Sequence, residues 1–121
     1  MSARRVAISL ALVLLAGCQG KAPPTGVMGD PARGRVALAQ HACRACHIIP
    51  GVTGPEVYVG RPLTDLADSR FIAGTLPNNQ ANLVRWIRDP KSIDPHTAMP
   101  TLGVSERDAL DMSAWLLAPQ K

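Results

Sequence analysis

The sequence predicts an all-α fold of three to five helices joined by long loops. Three observations carry that prediction. Apolar residues recur at helical spacing in three segments, each segment opens on a capping residue, and no run of alternating apolar and polar β-branched residues occurs in the 121 residues. A chain of this length has room for one domain only.

The N-terminus comes first. Arg4 and Arg5 precede an apolar run from Val6 to Leu15, and Leu15-Ala16-Gly17-Cys18 follows. A basic start, a short apolar stretch and small residues make an export signal over residues 1–17. As a helix the ten-residue run spans about 15 Å, half of the roughly 30 Å of hydrocarbon in a bilayer, so it is too short to stay as a membrane span. Leu-Ala-Gly-Cys resembles the lipobox of bacterial lipoproteins. That resemblance implies a diacylglyceryl thioether on Cys18, which becomes the first mature residue, and two or three acyl chains hold a protein durably at a membrane. The expected location is the periplasmic side of a bacterial membrane. With Pro23-Pro24, three glycines and almost no apolar periodicity from Gln19 to Gly29, residues 18–29 read as a lipidated N-terminus and flexible tether, and residues 30–121 as the folded domain.

The domain opens on Asp30-Pro31, a capping residue followed by proline at the first helical position, and helical spacing then runs through Val36, Leu38, Ala39 and Ala42. This helix delivers Cys43. A second helix, capped by Asn78 or Asn79, holds Leu83, Val84, Trp86 and Ile87 and ends at Pro90. A third starts at Ser105-Glu106-Arg107-Asp108, a capping box with Asp in place of Glu, and sets Ala109, Met112 and Leu116 on one face. The loops 48–63 and 89–103 are long for so small a domain, and loops of that length are usually functional or wrapped round something. Tyr58, Phe71, Trp86 and Trp115 are the domain's only aromatic residues, a thin core for its size. Something besides side chains is expected to fill it.

Charge narrows the function. Thirteen Lys and Arg stand against nine Asp and Glu, a net +4 that falls to +2 once Arg4 and Arg5 leave with the signal. Nucleic acid is therefore not an expected partner.

Cys43-Arg44-Ala45-Cys46-His47 is a CxxCH motif. Its two thiols can add across the vinyl groups of one covalently bound haem c while His47 coordinates the iron from the proximal side. A structural zinc site would need four ligands, and the domain offers these two cysteines with scattered His41, His47 and His96. A redox dithiol of the thioredoxin kind would need a βαβ setting. The sixth ligand decides whether such an iron carries electrons or binds small molecules. Met99, before Pro100 in a non-helical loop, is the candidate on the distal side; His96 is the alternative, and Met112 belongs to the core face of the third helix.

With CxxCH, Met99-Pro100 some fifty residues later and a capped closing helix, the chain resembles the class I c-type cytochromes. The segments from Ile72 to Asn78 and Asn82 to Pro90, with Ala98-Met99-Pro100, are similar to small membrane-anchored proteobacterial cytochromes c and to the haem c domain fused to subunit II of haem-copper oxidases. The resemblance implies a small fold wrapped round the haem, with Gly34 of the first helix packed on Trp115 of the closing one, and propionate contacts from Arg70, Trp86 or a neighbouring arginine. It also implies a Gly-Pro pair whose proline carbonyl accepts the N–H of the axial histidine. Here Gly60 is followed by Arg61, so either the Arg61 carbonyl takes that role or Gly54-Pro55 does.

The expected function is single-electron transfer between a respiratory donor, a quinol-oxidising complex or a dehydrogenase, and a terminal oxidase. On this reading the chain is an electron carrier and not an enzyme, with membership of an oxidoreductase complex left open. Two alternatives stand beside it: a haem enzyme or gas sensor with an open sixth site, and a fixed haem subunit of a dehydrogenase or oxidase. With three lysines in all, docking is expected through the apolar surround of the haem edge.

Overall fold

The structure, a computed structural model, describes residues 26–119. The export signal and Cys18 lie outside the described residues.

Helix α1 spans Pro31–Gln40. The Asp30 carboxylate accepts the N–H groups of Ala32 and Arg33, and Pro31 fills the first turn, where a missing N–H costs nothing. The helix stops two residues before Ala42, which takes a left-handed φ of 57° and turns the chain into a single tight turn, Cys43–Ala45. The expectation that helical spacing continues through Ala42 is thus corrected. Helix α2, Gln80–Arg88, is capped by Asn79, whose side chain accepts the Asn82 N–H, and it ends two residues before Pro90. Helix α3, Glu106–Leu116, starts where Ser105 accepts the Asp108 N–H at 3.0 Å.

Between α1 and α2 the chain makes a small antiparallel ladder, β1 (Phe71–Ile72) with β2 (Leu76–Pro77), pairing Phe71 with Pro77 and Ile72 with Leu76. These strands are not legible in the sequence because two residues are too few to show alternation. The turn between them passes through Ala73 and Gly74, both at positive φ. Asn78 fastens the ladder to the preceding loop by donating to the carbonyls of Leu66 and Ser69 at 2.7 and 2.8 Å.

Helices α1 and α3 cross in close contact. A Cβ on Gly34 would run into the backbone of Asp111 and Met112, so glycine is what allows the approach. The nearest neighbours of Gly34 are thus main-chain atoms of α3. The Trp115 indole lies instead on Gly51, where an added Cβ would stand 2.6 Å from the ring, and donates from Nε1 to the Pro50 carbonyl at 2.9 Å. The crossing is pinned by Asp111, a buried carboxylate that accepts from Arg33 Nε at 2.8 Å and from the Asp30 N–H at 2.7 Å. A hydrophobic cluster, including Leu38, Leu66, Ile72, Leu83, Ile87, Met112 and Leu116, joins α1, α2 and α3.

The segment before α1 is docked. Gln80 bridges both main-chain groups of Met28, accepting its N–H at 2.8 Å and donating to its carbonyl at 2.5 Å, and also donates to Ser113 Oγ. The last residues of the expected tether are therefore held against α2 and α3.

Candidate functional site

The three helices and the loops between them enclose a cavity of about 450 Å³, within the usual range for a cofactor site. Leu38 of α1, Leu83, Trp86 and Ile87 of α2, and Met112 and Leu116 of α3 form much of its apolar wall. Cys43, Cys46 and His47 join it from the tight turn, and Met99 joins it from the loop before α3. The sequence-predicted thiols, histidine and thioether thus line one cavity although more than fifty residues separate the motif from Met99.

The left-handed Ala42 lets the chain leave α1 abruptly, and the turn then closes on itself: the N–H of His47 donates to the Cys43 carbonyl at 3.0 Å. Cys43 and Cys46 are not joined in a disulfide. Burial pushes the Cys43 thiol above its ordinary range, and the nearby Cys46 adds to the shift against an opposing backbone hydrogen bond.

The His47 ring is fixed by a carbonyl. Nδ1 lies 2.7 Å from the oxygen of Arg61, and since a carbonyl only accepts, Nδ1 carries the proton and Nε2 is left as the basic nitrogen. Gly60 lies so close to the imidazole that an added Cβ would overlap it. Of the two arrangements open from the sequence, the Arg61 carbonyl therefore holds the ring; the Pro55 carbonyl accepts from Arg44 instead.

Met99 is half-buried, in a loop braced by its own bonds. Its N–H donates to Thr97 Oγ1 at 3.2 Å, and Lys91 Nζ donates to the Thr97 carbonyl at 2.7 Å. His96 is exposed and does not line the cavity. Met112 also reaches the cavity wall, but as a fully buried residue of the helix core.

The two residues expected near propionates separate. Trp86 is half-buried in the cavity wall, whereas Arg70 is exposed and outside it, its carbonyl accepting from the Asn78 N–H. The arginine at the cavity is Arg61, whose side chain the sequence reading passed over for its carbonyl; its place next to Gly60, against the histidine, was the available signal.

The donor set fits a haem held as the motif suggests: two thiols on one turn, an imidazole with its far nitrogen fixed, a thioether, and an otherwise largely apolar wall. No group of three or more His, Cys, Asp and Glu suited to a metal ion occurs among the described residues, so an iron here would draw on His47, Met99 and donors that are not side chains.

No protein-family model matches the chain. It is 36% identical over 94 residues to cytochrome c oxidase subunit 2 of Alkalihalophilus pseudofirmus, an alignment covering 77% of this chain and 26% of the relative. It is 37% identical over 76 residues to cytochrome c oxidase subunit 2 of Bacillus sp. strain PS3, covering 60% of this chain and 21% of the relative. These relatives correct one expectation. Both are named as subunits of an oxidase, an enzyme complex, which overturns the expectation that the chain is not an enzyme and agrees with the membership of an oxidoreductase complex left open beside it. Over most of its own length, then, the chain is similar to cytochrome c oxidase subunit 2, of whose length it spans about a quarter or less.

Proposed function

We propose that this chain is a haem c unit of the class I cytochrome kind, and that it passes single electrons within a terminal oxidase complex. The observation that carries the proposal is the meeting of Cys43, Cys46, His47 and Met99 around one largely apolar cavity, in a chain whose relatives are oxidase subunits. When bound, the haem would supply a one-electron couple at its iron.

The residues divide that work. Cys43 and Cys46 would hold the macrocycle through thioethers, His47 would provide the proximal nitrogen and Met99 the distal sulfur. The Arg61 carbonyl keeps the proton on Nδ1 of His47 and leaves Nε2 free to donate its lone pair. Leu38, Leu83, Ile87, Met112 and Leu116 exclude water, and a dry site favours the less charged, reduced form. Trp86 and Arg61 line the cavity, and in this proposal they would meet propionates. At the cavity Val59 is 77% exposed and Leu102 41%, an apolar rim for a redox partner. An exported chain with a lipid on Cys18, working on the periplasmic side of a bacterial membrane, belongs to the same proposal.

A redox-titrated absorption spectrum of the membrane-extracted protein, with mass analysis of the peptide holding Cys43 and Cys46, tests it. Expected are one covalent haem, a low-spin ferric form with a sulfur-to-iron charge-transfer band, and a reduced form that does not take up carbon monoxide. A peptide carrying no tetrapyrrole would end the proposal, and ready binding of carbon monoxide would move it to an open-site haem protein.

A further inference from the structure

An arginine between two cysteines on a tight surface turn would ordinarily hold its charge out in solvent. Arg44 does not. Its Nη1 donates to the carbonyl of His47 at 2.9 Å and its Nη2 donates to the carbonyl of Pro55 at 2.7 Å, so one guanidinium closes the loop from residue 47 to residue 55. Its Nε is buried and has no partner among the described residues. Gly54 lies against the same group, and an added Cβ there would stand 2.6 Å from Nε and 3.1 Å from the Arg44 Cβ. Burying part of a guanidinium this way is costly unless its fork is matched by acceptors, and the two carbonyls match it.

The consequence concerns His47. Its N–H is held by the Cys43 carbonyl, its C=O by Arg44 and its ring by the Arg61 carbonyl. The ring bond alone fixes the far nitrogen; the bond from Arg44 fixes the main chain from which the ring hangs. We infer that Arg44 is a positioning residue that sets the orientation of the His47 imidazole, by bridging the carbonyls of His47 and Pro55. This rests on the haem reading proposed above. Lysine does not reproduce it, because its N–H donors radiate from one nitrogen, whereas the two carbonyls are met by two separate nitrogens of a planar fork.

The test uses the intact holoprotein with Arg44→Lys, Arg44→Gln and Gly54→Ala, the last keeping the arginine but crowding its Nε. Three quantities are read: covalent haem content, the paramagnetically shifted haem-methyl resonances, whose pattern reports the angle of the axial imidazole, and amide exchange at Val52, whose N–H bonds to Ile49 within the loop. All three variants are expected to give a changed methyl pattern, Arg44→Lys failing to restore the wild-type one, and Val52 exchange is expected to quicken about tenfold for loss of one or two such bonds. A wild-type methyl pattern in Arg44→Lys overturns the inference, since charge alone would then suffice. Faster Val52 exchange with the methyl pattern unchanged also overturns it, because the clamp would then be only a loop brace. If the Arg44 variants accumulate no holoprotein, the pattern in Gly54→Ala decides, a shift supporting the inference and its absence defeating it. A wild-type chain without haem defeats the function proposed above and this inference with it, whereas a haem-loaded wild type with indifferent variants defeats this one alone.

Discussion

The imidazole of His47 and the carbonyl of Arg61 are joined at 2.7 Å across a gap of fourteen residues, with Gly60 lying against the ring. The glycine is what lets the carbonyl reach Nδ1, because any Cβ at residue 60 would occupy the place of the imidazole. Gly60→Ala is therefore expected to displace the ring and cost about 1–3 kcal/mol, the usual range for overpacking a filled site. Urea unfolding read alongside the absorption spectrum checks this, and an unperturbed spectrum would show that the ring tolerates the methyl group.

Met99 and His96 are three residues apart, but only Met99 lines the cavity. Met99→Ala is expected to let the reduced protein bind carbon monoxide, and His96→Ala to leave the spectrum as it was. The reverse pattern would assign the distal position to the histidine.

Two glycines should lose unequal amounts of stability to the same methyl group. At Gly34 the new Cβ meets main chain of α3, which cannot swing aside, so Gly34→Ala is expected to cost about 3 kcal/mol and to loosen the α1–α3 crossing. At Gly74 nothing stands within 4 Å and only the left-handed φ of 77° opposes a side chain, so Gly74→Ala is expected to cost about 1 kcal/mol. Paired denaturation curves measure the difference.

Acid should loosen the same crossing. The Arg33 side chain holds the Asp111 carboxyl below its usual range, against burial, with help from the Asp30 N–H. A carboxyl whose folded value is depressed contributes stability above its unfolded value of about 3.9, and loses it as pH falls through the lower folded value. Wild-type stability should therefore decline below about pH 4, and Asp111→Asn should flatten that part of the profile while lowering stability at pH 7. A parallel decline in both proteins would remove Asp111 as the cause.

The helices were legible because their ends are written in short-range chemistry: Asp30-Pro31, Asn79 and Ser105 each cap within three residues. The cysteines and His47 were legible because five consecutive residues state their chemistry. Met99 was legible from its proline neighbour, which marks a loop. What stayed hidden depends on residues far apart in sequence. The Gly34 contact with Asp111, the Trp115 contact with Gly51 and the Arg44 clamp on Pro55 join residues whose local patterns say nothing of one another. Arg70 and Arg61 show the same limit, since an arginine's neighbours in sequence do not tell which one borders a cavity.

Gln80 gives the domain a bearing. By gripping both main-chain groups of Met28 while also holding Ser113, it brings the incoming chain along the flank of α3 that carries Leu110, against whose carbonyl Gly29 rests. Leu110 is about 160° round the helix from Met112, which borders the cavity. The chain thus reaches α1 along a face of α3 other than the one bordering the cavity, while Val59 and Leu102 stay exposed at the cavity rim.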